Sequence, residues 1–388
     1  MSNPQEISIV SADIKVIYPI QKRINTDSKR TDTNYKANCE GEPLGKLKSY
    51  LHCFKPDNHS AECPHKNNTL RGSCEACIVL DAGWGWWTYT YSSDSTNLKE
   101  VHGFSIDIEE KVDKWVQDRH NEPTKDSCYP LVRTGNSAEE SKDKKSHQDE
   151  EYRYVAFGPE TAEHVPSPYF IIECVVPQNE IEEIKKGDRN WNTLIMVLYR
   201  TLTTDKFLKN KDMKAKDEQD KEESPENFAY GNNWMCFFTG RSLLILHSKN
   251  SDKKIKESIK ELITFTEQAV SFIWSMTVAL NGISHSLDNW LKTAVIKVES
   301  MVNDKNDGAG RVEILKEILK TSSELRRQYA LLLMDPTAYA FPAGTIHEVL
   351  EKARDEFGTE KAREYLLKKF EVVDRVLEDM LQVSALNH

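Results

Sequence analysis

The chain has 388 residues, 29% of them charged, and a formal net charge of −10 at pH 7. This length exceeds what one compact core usually holds, so we expect two domains, or one domain with a large helical extension. The acidic balance argues against a nucleic-acid-binding surface, which needs clustered basic residues. The longest strongly apolar stretch, Phe272 to Leu280, is far shorter than the ~20 residues of a membrane-spanning helix, so no span is expected in the chain as given.

The first 250 residues are mostly typical of strands. Runs rich in β-branched and aromatic residues predict extended structure. These runs are 7–20, 77–91, 152–157, 169–176, 234–238 and 243–247. Helical periodicity predicts two helices among them, at 108–116 and 190–202. We therefore expect an N-terminal mixed sheet domain over 1–250, in an α+β (or α/β) fold.

A Cys/His-rich loop, 39–77, holds five of the eight cysteines and three of the eleven histidines. Two ligand pairs a short loop apart can complete the four ligands of a structural zinc ion. The most economical ligand set is Cys63, His65, Cys74 and Cys77. The reserve ligands are Cys39, Cys53, His52 and His59. A disulfide framework and unrelated buried thiols are the alternatives.

The N-terminus bears on that choice. It has no basic segment followed by an apolar run, so we expect no secretory signal. A cytoplasmic location follows as the expectation. The reducing conditions there favour thiolates over disulfides.

The run from Gly83 to Tyr91 is unusually aromatic. On a strand it would place Trp84 and Trp86 on one face and Trp87, with the following tyrosines, on the other. Burial beneath a helix layer explains this pattern. The functional alternative is an aromatic binding surface of Trp84, Trp86 and Trp87 that stacks on a base or a sugar ring.

Two segments, 136–151 and 205–226, are runs of mixed charge with little apolar content. Neither offers a face for a sheet or a helix to bury, so both are expected to be exposed, mobile insertions. A docking segment for a charged partner is the alternative. Either way, they divide the chain into separate blocks.

From residue 251 onward apolar residues recur at helical spacing, which predicts a C-terminal helical bundle with long helices over 251–388. The first two helices are expected to join at Gly282. The third, 311–334, ends before Pro336, which cannot donate a backbone N–H. A short helix at 346–357 then leads through Gly358 into the last helix.

The last helix carries a seam with alternating spacings of four and three, typical of a coiled coil or a bundle. Its members are Leu366, Phe370, Val373, Leu377 and Met380. Such a seam must pack on another long element. Inside one chain the face of Val312, Leu315 and Leu319 could cover it. The alternative is self-association of protomers through the C-terminal helices.

The order of these features is the basis of a resemblance. A mixed sheet domain precedes long helices, the stretch Glu324-Leu-Arg-Arg-Gln-Tyr329, a short helix, and Arg363-Glu-Tyr-Leu366 at the start of the last helix. In this order the C-terminal half resembles the cytosolic domain of CorA-type divalent-cation transporters. The resemblance implies an oligomeric soluble part, with a membrane region only if the chain continues beyond His388. The Gly-Met-Asn signature of that family is absent from the chain.

Catalytic motifs give little direction. The sequence contains no G-x-S-x-G, no P-loop and no H-E-x-x-H pattern. Two classes of function follow: a non-catalytic ligand-sensing or assembly module, such as the soluble part of a CorA-like channel or transporter, or a metal-dependent hydrolase or nucleotide-processing enzyme. A closed four-ligand zinc site would favour the first, and three ligands plus water the second.

Overall fold

A computed structural model describes most of the predicted elements. The residues it describes are 6–22, 51–54, 72–79, 84–108, 128–130, 169–186, 191–199, 227–230, 233–249, 253–303, 308–333 and 345–386. They form an α+β fold, as the sequence predicts. The strand expected at 152–157 and the two charged insertions, 136–151 and 205–226, lie outside these ranges.

Nine strands of the described residues make one sheet. They are β1 (Ser11–Lys22), β2 (Leu51–Phe54), β3 (Gly72–Val79), β4 (Trp84–Ser93), β5 (Cys128–Pro130), β6 (Tyr169–Val176), β7 (Asn227–Tyr230), β8 (Trp234–Phe238) and β9 (Ser242–Ser248). The predicted bounds of β6 and β8 are confirmed to the residue. The single strand expected at 77–91 is wrong, because that segment holds the end of β3 and most of β4, which pair as antiparallel neighbours.

The sheet order is β2-β3-β4-β1-β6-β9-β8-β7, and β5 pairs with the end of β1 beyond β6. Neighbouring strands are antiparallel except β6 and β9, which run parallel. The parallel pair arises because the chain leaves β6 through two helices and a hairpin before it returns as β9. In this order β1 and β6 lie at the centre of the sheet.

The described helices cover both faces of the sheet and extend beyond it. They are α1 (98–108), α2 (Glu180–Lys185), α3 (Trp191–Tyr199), α4 (Lys253–Asn303), α5 (Gly308–Leu333), α6 (Thr345–Phe357) and α7 (Thr359–Leu386). Of the helix expected at 108–116, only the first residue is described, as the end of α1. The predicted join at Gly282 is wrong, since α4 runs unbroken through it for 51 residues. Among the described helices none is long and apolar enough to cross a membrane.

Two apolar cores lie on opposite faces of the sheet. One packs α1, α2 and α3 against residues such as Ile14, Ile172 and Leu244. The other packs α4 against residues such as Ile17 and Ile171 and continues without a break into the helices that follow. The helices from 251 onward therefore share a core with the sheet. Their first residue in the structure, Lys253, lies near the predicted domain boundary.

The C-terminal half of α4 forms a three-helix bundle with α5 and α7. The indole N–H of Trp290 in α4 donates to the Ile318 carbonyl in α5, at 3.3 Å. The Thr277 and Thr359 hydroxyls of α4 and α7 lie 2.7 Å apart, and Lys369 of α7 pairs with Asp288 of α4. These contacts place α7 parallel to α4.

The seam of α7 is covered inside this bundle. Four of its five residues are buried: Leu366, Phe370, Val373 and Met380. The fifth, Leu377, is half-buried against the same core. The face expected to cover them was partly wrong, because Val312 and Leu319 are exposed and only Leu315 packs on the core. Residues nearer the end of α5 take that role, among them Tyr329, whose ring lies 5.4 Å from that of Phe370.

Candidate functional site

A group of charged side chains lies between the sheet and α4. Side chains alternate between the two faces of a strand, so Asp13 and Lys15 of β1 share the face of Ile17, which is turned toward α4. Glu173 of β6 lies directly opposite Asp13 across the strand pair. Glu267 of α4 approaches from above. The fold thus brings charged groups from distant parts of the chain to one place.

Lys15 is the centre of this group. Its Nζ lies 2.5 and 2.6 Å from the two carboxylate oxygens of Glu267. The same Nζ lies 3.6 Å from Oε2 of Glu173. Lys15 therefore joins a central strand to α4 and also contacts the adjacent strand.

His247 of β9 extends the network. Its Nε2 lies 3.1 Å from Oε1 of Glu173, and it carries the hydrogen, because a carboxylate only accepts. On the other side, the Ser92 hydroxyl of β4 donates to Oδ1 of Asp13, at 2.7 Å. Three strands and one helix thus contribute to what we call the Lys15 cluster: Asp13, Lys15, Glu173, His247 and Glu267.

The Lys15 cluster is largely shielded from water. The side chains of Lys15, Glu173, His247 and Glu267 are only 13–22% exposed. Burial alone would lower the pKa of Lys15, but the Glu267 and Glu173 carboxylates outweigh it and hold that pKa above its ordinary value. Lys15 is accordingly charged at every physiological pH.

The carboxyls of Glu173 and Glu267 differ. Burial acts to raise the pKa of Glu173, but the hydrogen bond from His247 and the charge of Lys15 outweigh it, and this pKa lies below its usual value. For Glu267 burial dominates: it raises the pKa to about 7 although Lys15 opposes it, and the Glu173 charge adds to the rise. Glu267 therefore binds and releases a proton near neutral pH.

The predicted zinc ligands are described only in part. Cys63 and His65 lie outside the described residues, as do the reserves Cys39 and His59. The structure gives the backbone of Cys74 and Cys77 within β3, and not their side chains. Among the described residues, no three His, Cys, Asp or Glu side chains are placed to hold a metal ion. The zinc site stays a prediction.

The aromatic run is confirmed as a strand with two buried faces. Trp86 is buried on the α4 side, where its ring meets Phe272 edge-on at 6.4 Å. Tyr89 and Tyr91 are buried in the opposite core. Trp86 is therefore a core residue, and the side chains of Trp84 and Trp87 are not described. Of the three tryptophans of the predicted stacking surface, Trp86 is thus not exposed for binding.

Sequence reasoning missed the Lys15 cluster, although a signal for it exists. Glu173 interrupts the otherwise apolar run Tyr-Phe-Ile-Ile-Glu-Cys-Val-Val of β6. A charge in a central strand is almost always paired, so it calls for a cation on a neighbouring strand. Lys15 stands at such a position on β1. The helix partner, Glu267, could not be chosen among the acidic residues of α4 by spacing alone.

The fold and this site define an α+β protein in which a long helix is ion-paired to a central sheet. The chain matches no protein-family model, no curated protein and no solved structure.

Proposed function

We propose that this protein is a non-catalytic ligand-sensing or assembly module whose helical bundle contacts partner protomers. The observation that carries the proposal is the distribution of exposed apolar side chains. Among the described residues ten large apolar side chains are exposed, and eight of them lie on α5, on α7 and on the C-terminal half of α4. Exposed apolar side chains that are concentrated in one part of a fold favour an interaction surface there, whereas single scattered ones are ordinary.

These eight residues lie on all three bundle helices, with exposed fractions of 40–66%. They are Val295 and Ile296 on α4, Val312 and Leu319 on α5, and Tyr365, Leu367, Val372 and Leu381 on α7. The buried seam of α7 is occupied within the chain, so association would use these outer residues. This moves the proposed contact from the seam to its flanks.

The order of elements supports one form of the proposal. The sheet, the long α4, the short α6 and the final α7 follow one another as in the CorA-like resemblance. Within the class of assembly modules, the soluble part of a CorA-like channel or transporter is therefore the form we favour. In the sensing role, a ligand would bind at the sheet and would change the contact between protomers at the bundle.

Self-association is tested by measuring the mass of the intact chain. Light scattering coupled to size exclusion at micromolar concentration should give a multiple of 44.6 kDa. The double variant Val372→Asp/Leu381→Asp should shift toward the monomer, because it places charges on the proposed contact without altering the core. The control Gln382→Asp, on the same helix, should leave the mass unchanged. A monomeric mass for the unaltered chain would contradict the proposal.

A further inference from the structure

We propose that the Lys15 cluster is a proton-operated latch, in which a proton on Glu267 tightens the docking of α4 on the sheet and its loss loosens it. This goes beyond the proposed function, because it acts within one chain whether or not protomers associate. The latch is defined by geometry. The carboxylate of Glu267 on α4 meets two strand carboxylates, those of Asp13 and Glu173, which already give the site excess negative charge.

The charge imbalance follows from the positions of the acids. Asp13 and Glu173 lie directly opposite one another on adjacent strands, an arrangement in which like charges repel. Lys15 is the ammonium group that faces them among the described residues, and it binds both oxygens of Glu267 as well. Three carboxylates thus face one ammonium group, and His247 contacts only Glu173. A proton on one of these carboxylates removes one negative charge and reduces the repulsion among them.

The groups around Glu267 identify where the proton goes. From β1 it faces Lys15 and Asp13, and from β6 it faces Glu173. His247 of β9 reaches the cluster through Glu173, and Ser92 of β4 reaches it through Asp13. One helical turn to either side, α4 presents the uncharged residues 263, 264, 270 and 271. The nearest groups that affect Glu267 are therefore those of the two central strands.

The direction of the effect follows from linkage. Glu267 has a pKa of about 7 in the folded protein, above its ordinary value of 4.5. Between these two values the folded state binds more protons than the unfolded state, so the contribution of Glu267 to stability falls as pH rises. It is fully present below 4.5 and is lost as pH rises through about 7. Glu173, with its lowered pKa, acts only at more acidic pH.

Hydrogen exchange of α4 amides in the full chain tests the latch. After correction for intrinsic exchange, the protection of the wild-type amides at 260–275 should fall on the order of tenfold between about pH 5.5 and pH 8, because Glu267 loses its proton. The variant Glu267→Gln imitates the protonated carboxyl, so its amide protection should not show this fall with pH. The control Glu261→Gln changes an exposed acid of the same helix and should behave as wild type.

Three results would overturn the latch. An equal fall in wild type and Glu267→Gln would show that another group takes up the proton. A fall that is lost in His247→Gln but kept in Glu267→Gln would assign the proton to His247. A Glu267→Gln protein that fails to fold at pH 5.5 would also contradict it, because the variant imitates the form that the wild type has at that pH.

Discussion

Phe370 shows how a single side chain organises the bundle. It is 5% exposed, and its ring contacts Tyr329 of α5. The guanidinium of Arg326 lies 5.2 Å from the ring centroid, and Arg326 also pairs with Asp374 of α7. One aromatic ring on α7 thus joins apolar and cationic partners on α5.

We expect Phe370→Ala to lower the free energy of unfolding by about 3–5 kcal/mol, because burial energy is lost and a cavity is left behind. Urea unfolding followed by circular dichroism measures the change. Lys368→Ala is the control on the same helix, at an exposed position outside the proposed contact. If both variants cost the same small amount, Phe370 is not at the centre of this bundle.

At the residue scale, local pattern and long-range pairing were not equally predictable. The spacing of Leu366, Phe370 and Val373 predicts a buried stripe, and their burial confirms it. The pairing of Lys15 with Glu267 spans 252 positions. Nothing local to either residue encodes a partner so distant, since the sheet order that brings them together depends on strands from the whole chain.

At the scale of elements, α4 is the largest departure from expectation. Gly282 suggested a helix end, because glycine lowers helix propensity. The structure surrounds this position with buried residues of α4, such as Leu280 and Ile283, and packing of the helix overrides the propensity. Strands with clear apolar runs were better defined, as β6 shows. The prediction merged β3 and β4 although Asp81 and Gly83, which lie between them, are typical of a hairpin loop.

Two glycines offer a matched pair of substitutions. A Cβ at Gly282 would meet no heavy atom within 4 Å, so Gly282→Ala should stabilise the protein by about 0.5–1 kcal/mol through helix propensity. Gly358 links α6 to α7 at φ +64°, a left-handed conformation. Gly358→Ala should therefore destabilise by about 1–2 kcal/mol, although it too has free space. Thermal unfolding of both variants measures the opposite signs.

Finding that Gly282→Ala destabilises would show that α4 needs a deformable position there. Equal effects of the two alanines would contradict the backbone argument, because the space around both glycines is open. The comparison therefore separates conformation from packing.

At the scale of the whole molecule, the predicted zinc site is tested by metal content. We expect about one zinc per chain purified without added metal, and Cys74→Ser should lower both the zinc content and the melting temperature, since structural zinc contributes folding energy. Cys128→Ser, outside the predicted ligand set, is the control. Less than about 0.2 zinc per chain, with Cys74→Ser as stable as the wild type, would contradict the site.

Two cysteines away from that site, Cys174 and Cys236, are poorly reactive. Cys174 and Cys236 are both free and buried, and burial raises the pKa of each thiol. They lie on opposite faces of the sheet, in different cores. Reagents for thiolates should therefore spare these two residues in the folded protein.

The unbroken course of α4 also has a mechanical consequence. With a rise of 1.5 Å per residue, Asn303 lies about 54 Å along the axis from Glu267, and the helix contains no proline to bend it. A tilt of about 5° where Glu267 meets the sheet would displace that far end by roughly 5 Å. A rod of this length converts a rotation too small to disturb the sheet into a movement as wide as a side chain, and α5 and α7 would be carried along with it.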